Sequence, residues 1–198
     1  MSFLEFIKSK RSLKKVLLLG SGAVGKTSLV RVLKEDKSLE EFKDGLEYHR
    51  TPFLELETVT ASGLLKNDPD LKGTLQLWDV AGQFDLPVHA LRDISKSVLG
   101  SVDLIILMFS NENVQSLLDL AMWLEVVNEH HKDDLKKDTI FVLISNKTDL
   151  SGDIDQGLID QVMNAEPRII HFFKISCMTG LGIKELKEWL VEQFFGIT

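Results

Sequence analysis

Eight consecutive residues, Gly20-Ser21-Gly22-Ala23-Val24-Gly25-Lys26-Thr27, join three glycines to a lysine and a hydroxyl at the spacing that wraps backbone around phosphate oxygens. The glycines let successive N–H groups turn inward, and the positive end of a following helix adds to the attraction. Lys26 is placed to reach the terminal phosphates, Thr27 to offer its hydroxyl to Mg²⁺, and Ser28 closes the phosphate-binding set. The flanks agree: an apolar run, Val16-Leu17-Leu18-Leu19, leads in, and Ser28-Leu29-Val30-Arg31-Val32-Leu33 leads out with helical character. A glycine-rich turn into an ordinary helix is the bland alternative, and the strand and helix on either side disfavour it.

A second group closes the strand Thr74-Leu75-Gln76-Leu77-Trp78-Asp79, whose alternation sets Leu75 and Leu77 on one face and Gln76 and Trp78 on the other. Asp79 ends that strand as a candidate Mg²⁺ ligand, direct or through water. Gly82 offers an N–H that can approach a γ-phosphate unobstructed. Gln83 is the candidate catalytic amide, since it can donate and accept at once and so orient a water for in-line attack. The third group, Asn146-Lys147-Thr148-Asp149, follows the apolar strand Thr139 to Ser145 and so lies at a carboxyl edge, where open α/β sheets bind ligands. Asp149 can accept two hydrogen bonds from guanine N1–H and N2, a donor pair that adenine lacks, so ATP is expected to be rejected. Asn146 can tie this loop to the phosphate loop, and the Lys147 stem can cover the ring face.

With these three groups in this order, the chain from Lys14 to Phe195 resembles the small GTPases of the Ras, Rab and Arf kind, divergent from each and not assignable to one subfamily. The resemblance implies a phosphate-loop α/β fold: a six-stranded, mostly parallel sheet with one antiparallel edge strand and helices on both faces. It implies GTP and GDP as ligands, Mg²⁺ as cofactor, slow intrinsic hydrolysis, and partners that include an exchange factor, an activating protein and effectors. It assigns Ser176-Cys177-Met178 to a backbone contact with guanine O6, with Cys177 and Met178 standing where the family usually has alanine and lysine. It also assigns Thr51 to Mg²⁺ and the γ-phosphate, three residues after Tyr48, although Pro52 follows where Ile-Gly is usual. Lys26, Thr51 and Gln83 form the catalytic set; Thr27, Thr51 and Asp79 form the metal set. Phe42 is either the aromatic that packs on the base or one tucked onto its own helix. Arg50 is either a cation supplied in cis or a solvated loop arginine. Phe84 replaces the usual glutamate and the second switch is several residues longer than the family norm, so known partners do not carry over.

Length and composition set the outer bounds. At 198 residues, 44% hydrophobic and 27% charged, the chain suits one domain with a full two-sided core. Thirty acids against 23 bases give a net charge of −7, which disfavours a nucleic-acid surface. The single cysteine suits a reducing, cytoplasmic setting, and no run approaches the ~18 apolar residues of a membrane span. Residues 1–13 form a leader and residues 14–198 the nucleotide-binding domain. Residues 192–198 hold no cysteine and position 2 is serine, so neither prenylation nor myristoylation is expected. Phe3, Leu4, Phe6 and Ile7 before Lys8, Lys10, Arg11, Lys14 and Lys15 give residues 1–15 two readings, weak peripheral membrane contact or a segment that packs or frays.

Elsewhere, Val114 to His131 reads as one helix with Leu117, Leu118, Ala121, Leu124 and Val127 inward, and the last helix turns Ile183, Leu186, Leu190 and Phe194 inward. Ser62-Gly63 and Asn67 to Asp70 read as the turns of a long hairpin from Thr60 to Thr74. His130-His131 lacks the geometry of a metal site. Two other functional classes remain open: a GTP-loaded binding module or scaffold with negligible hydrolysis, and an ATPase or phosphotransferase, which would have no use for Asp149.

Overall fold

The computed structural model describes residues 13–42, 51, 54–64, 73–82, 100–131, 135–152 and 154–196, with 129–131 described in backbone only. Six strands form one sheet: β1 (Leu13–Leu19), β2 (Leu54–Thr60), β3 (Thr74–Val80), β4 (Leu104–Ser110), β5 (Ile140–Asn146) and β6 (Ile169–Lys174). Their order is β2-β3-β1-β4-β5-β6, with β2 antiparallel to β3 at one edge and every other pairing parallel. Among the described residues the helices are α1 (Lys26–Glu35), α2 (Ala61–Leu64), α3 (Val114–Leu118), α4 (Leu120–His131), α5 (Gln156–Ala165) and α6 (Ile183–Phe195), with a 3₁₀ turn at Leu39–Glu41. This is the fold expected of the phosphate-loop class.

Alternation along β1 divides the core. Val16 and Leu18 pack against Leu29 and Leu33 of α1 and Leu186 and Leu190 of α6, while Leu17 and Leu19 face Leu117, Leu120 and Val127 of α3 and α4. Central strands buried on both faces read as continuous apolar runs, which is why β4 shows no alternation and is buried throughout. Each leucine so buried contributes roughly 1.5–3 kcal/mol.

Two local expectations are corrected, and a choice left open at Phe42 is decided. The segment 114–131 is two helices that meet at Asp119, and the inward set is Leu117, Leu120, Trp123, Leu124, Val126 and Val127, of which Leu117, Leu124 and Val127 are as expected. Leu118 is 48% exposed and Ala121 is also exposed. The Met122 N–H bonds back to the Asp119 carbonyl, a tight three-residue step between the two helices. Ser62 and Gly63 belong to the short helix α2, although the strands that they join end and begin at Thr60 and Thr74 as the sequence suggests. Phe42 lies under the Arg31 guanidinium, 4.0 Å from ring centre, and packs on the core, so it is the aromatic tucked onto its own helix. In α6 the inward face is as read, with Ile183, Leu186 and Leu190 buried and Phe194 half-buried.

Candidate functional site

Parallel order places the ends of β1, β3, β5 and β6 along one sheet edge, and each carries one group of candidate residues. The loop 20–25 leaves β1 and enters α1 at Gly25, whose φ of 99° is left-handed. Any side chain there would meet the Asn146 amide nitrogen, 2.3 Å from the Cβ position. No side chain caps α1 and its first turn holds no acid, so its leading N–H groups stay open to an anion. Ala23, exposed at φ 61°, forms the outer bend of the loop, with Gly22 beside it, and Ser28 sits half-buried in the first turn of α1.

Lys26 is buried at 6% exposure, its ammonium donating to the carbonyls of Gly20 at 2.7 Å and Ser21 at 2.9 Å. Burial pushes its pKa down to about 8, against the pull of the Asp79 carboxylate. Asp79 is pushed the other way, upward, by its own burial, with Thr27, Lys26 and Thr51 opposing. Gly82 lies against this group: a Cβ there would come within 2.5 Å of the Lys26 ammonium. Thr27 donates to Asp79 Oδ2 at 2.5 Å, Thr51 reaches the same oxygen at 3.3 Å, and the two hydroxyls are 2.9 Å apart. Asp79 Oδ1 is buried with no hydrogen-bond partner among the described residues. Two hydroxyls and an unpaired carboxylate oxygen are hard oxygen donors, and they fit Mg²⁺.

At the other end of the edge, Asn146 joins two loops. Its amide nitrogen donates to the Val24 carbonyl at 2.9 Å, and its oxygen accepts the Cys177 N–H at 3.0 Å. Ser176, fully buried, donates to Asp149 Oδ1 at 2.5 Å and accepts the Thr179 N–H, leaving the exposed Asp149 aimed by a fixed partner. Lys147 holds a left-handed φ of 62° and its ammonium meets Glu112 at 2.6 Å. The pairing holds Glu112 below its ordinary carboxylate range. Cys177 is buried and its thiol is pushed up to about 12 by that burial, with the Asp149 charge adding, so it is inert at neutral pH. Met178 stands beside it, 37% exposed. The 3₁₀ turn docks here too: the N–H groups of Leu39 and Glu40 donate to the carbonyls of Cys177 and Met178.

A Ras family model matches residues 15–195, which takes in all of these loops. The chain belongs to the Ras family. It is a small GTPase of the Ras and Rab superfamily, not assigned to a subfamily. Among its relatives, Ras-related protein Rab-26 of Bos taurus is 27% identical over 182 residues, covering 88% of this chain and 64% of the relative. Ras-related protein SEC4 of Saccharomyces cerevisiae is 30% identical over 155 residues, covering 76% and 62%. Ras-related protein Rab-32D of Dictyostelium discoideum is 27% identical over 188 residues, covering 90% and 74%. The match thus spans less than two thirds of the length of the first two relatives.

For this Ras-family chain, the candidate residues Gly20 to Ser28, Thr51, Asp79, Gly82, Asn146, Lys147, Asp149 and Ser176 to Met178 lie at one edge. Gln83, Tyr48, Arg50, Pro52 and Phe84 lie outside the described residues, as do residues 1–12 and the side chains of His130 and His131. Among the described residues no helix is long and apolar enough to cross a membrane. Sequence reasoning missed Asp119, a buried acid whose carboxylate accepts the Ser21 hydroxyl at 2.8 Å. The signal was an acid set between leucines, Leu117-Leu118-Asp119-Leu120, where a solvated face would not place one. It also missed Glu112, which nothing in its own loop marks as a partner for Lys147.

Proposed function

We propose that this protein is a GTP-binding molecular switch that hydrolyses GTP to GDP and phosphate with Mg²⁺ and changes partners through two switch loops. The observation that carries this reading is the convergence of Thr27 and Thr51 on Asp79. It brings a residue ahead of β2 to the phosphate loop at the position where a γ-phosphate and its cation belong. Bound there by Thr27, Thr51 and Asp79, Mg²⁺ would supply positive charge to the β- and γ-phosphate oxygens.

Around that position each residue has its own part. Asp149 accepts from guanine N1–H and N2, with Asn146 and the Ser176-Cys177-Met178 backbone closing the base site and the Lys147 stem on the ring face. Lys26 and the loop N–H groups of Gly20 to Thr27 hold the phosphate charge, and the Gly82 N–H faces the γ-phosphate. Gln83 orients a water whose oxygen bonds to the γ-phosphorus as the bond to the β–γ bridging oxygen breaks. The water's proton passes to the phosphate released. Loss of the γ-phosphate frees Thr51 and Gly82, which loosens both switches. Turnover is slow until an activating protein supplies an arginine, a gain of about 10³ to 10⁵ in related enzymes. We extend the reading to the division of the chain into a leader, residues 1–13, and the domain 14–198, with weak peripheral membrane contact through residues 1–15; liposome co-sedimentation with and without 1–13 tests it, equal pelleting counting against it.

Single-turnover release of labelled phosphate from bound GTP tests the enzymatic claim. Slow release that drops more than about tenfold in Gln83→Leu supports it. Tight GTP binding with no release in the unmodified chain would leave a GTP-binding scaffold instead.

A further inference from the structure

Ser21 is the second residue of the loop that leaves β1, yet its hydroxyl is tied to a buried carboxylate beyond that loop. It donates at 2.8 Å to Asp119 Oδ2, and both residues are buried. The other carboxylate oxygen accepts the Gln115 side-chain amide at 2.8 Å, four residues back on α3. Asp119 stands at the step between α3 and α4, whose leucines are locked into the core on either side of it. The peptide of Ser21 has two further duties. Its carbonyl accepts the Lys26 ammonium at 2.9 Å, and it forms the wall that Gly82 approaches, 2.4 Å from where a Cβ on that glycine would lie.

We propose that Asp119 is a positioning residue for the γ-phosphate end of the site: through Ser21 it fixes the carbonyl that aims Lys26 and the surface on which Gly82 rests. This rests on the reading of the protein as a guanine-nucleotide switch. The tether acts where a triphosphate differs from a diphosphate, so its loss weakens binding of the triphosphate more than that of the diphosphate. A residue that merely stabilised the fold would lower both alike.

The test is the ratio of affinities for a non-hydrolysable GTP analogue and GDP, with Mg²⁺, in the full chain and in Ser21→Ala, Asp119→Ala and Asp119→Asn. Ser21→Ala and Asp119→Ala are expected to lower the preference for the triphosphate by about tenfold, the worth of one hydrogen bond to a charged group. In the double variant Ser21→Ala/Asp119→Ala the two losses in the ratio should not add, because both remove the bond between Ser21 and Asp119. Asp119→Asn keeps an oxygen for Ser21 and is expected to retain the ratio within about twofold. If Asp119→Ala does not fold, Ser21→Ala, which removes a single oxygen, carries the test alone. An unchanged ratio in the variants that bind GDP would overturn the positioning role and leave the switch reading intact. A wild-type chain that binds no guanine nucleotide would overturn both.

Discussion

Lys26 and Asp79 each sit in surroundings that oppose their own charge. Burial lowers the lysine and raises the aspartate, so each is compensated only in part by the other. Titratable groups so perturbed by burial and by each other are concentrated at functional sites. Asn146 has the opposite character, because both ends of its amide are paired as it joins the loop after β1 to the loop after β6. Replacing it with alanine leaves a buried carbonyl and a buried N–H unpaired. We expect Asn146→Ala to lose about 2–4 kcal/mol in urea unfolding and to weaken GDP binding at least about tenfold. Unchanged GDP affinity would mean that the two loops are aligned by something else. At this scale the motifs were readable because their chemistry dictates residue type and spacing together. Asp119 was not, since a single acid in an apolar run signals burial without naming its partner 98 positions away.

Elements put these residues in place, and here legibility followed periodicity. Strands β4 and β5 announced themselves as apolar runs and β3 by its alternation, each within a residue of the ends observed, while the apolar run of β1, Val16 to Leu19, missed the three residues from Leu13 to Lys15 that open the strand. In 114–131 Leu117, Leu124 and Val127 face inward as read, but the edge of the face was taken in the wrong phase, with Leu118 and Ala121 chosen where Leu120 and Trp123 are buried, a choice that helical spacing alone leaves open. Denaturation separates the two phases directly: Leu117→Ala should cost about 2–5 kcal/mol and Leu118→Ala under about 0.5 kcal/mol. Equal costs would restore the single-helix face. A second element-level test lies where α5 runs into β6. The Arg168 guanidinium grips Glu166 through both carboxylate oxygens at 2.7 Å, and Asn128 of α4 adds a third contact. These hold Glu166 below its ordinary range, so its stabilising effect is complete above the unfolded value near 4.5 and is lost as pH falls through the lower folded value. Glu166→Gln should therefore be less stable than the parent by about 1–2 kcal/mol at neutral pH, with the gap closing toward pH 3. A gap independent of pH would mean that the carboxylate's charge has no part in it.

Across the whole molecule, one sheet with two packed faces brings four loops from distant parts of the chain to a single edge. The fold class was legible because strands alternated with helices around recognisable loops; the docking of the 3₁₀ turn on Cys177 and Met178 was not, because backbone-to-backbone bonds leave no trace in residue type. Nucleotide bound across this edge should stabilise the entire domain by mass action. GDP with Mg²⁺ at a hundred times its dissociation constant is expected to add about 2.7 kcal/mol, and chelating the metal to remove part of that gain. A chelator without effect on the GDP-loaded Tm would separate the Thr27, Thr51 and Asp79 cluster from metal binding. Base choice remains the central claim, and competition against a fluorescent GDP tests it most directly, with unlabelled GDP and ADP titrated into the unmodified chain and Asp149→Ala. ADP is expected to compete at least about 10⁴-fold more weakly than GDP in the unmodified chain, and Asp149→Ala to narrow the gap to about tenfold or less. Comparable displacement by ADP and GDP in the unmodified chain, or full discrimination kept by Asp149→Ala, would contradict it.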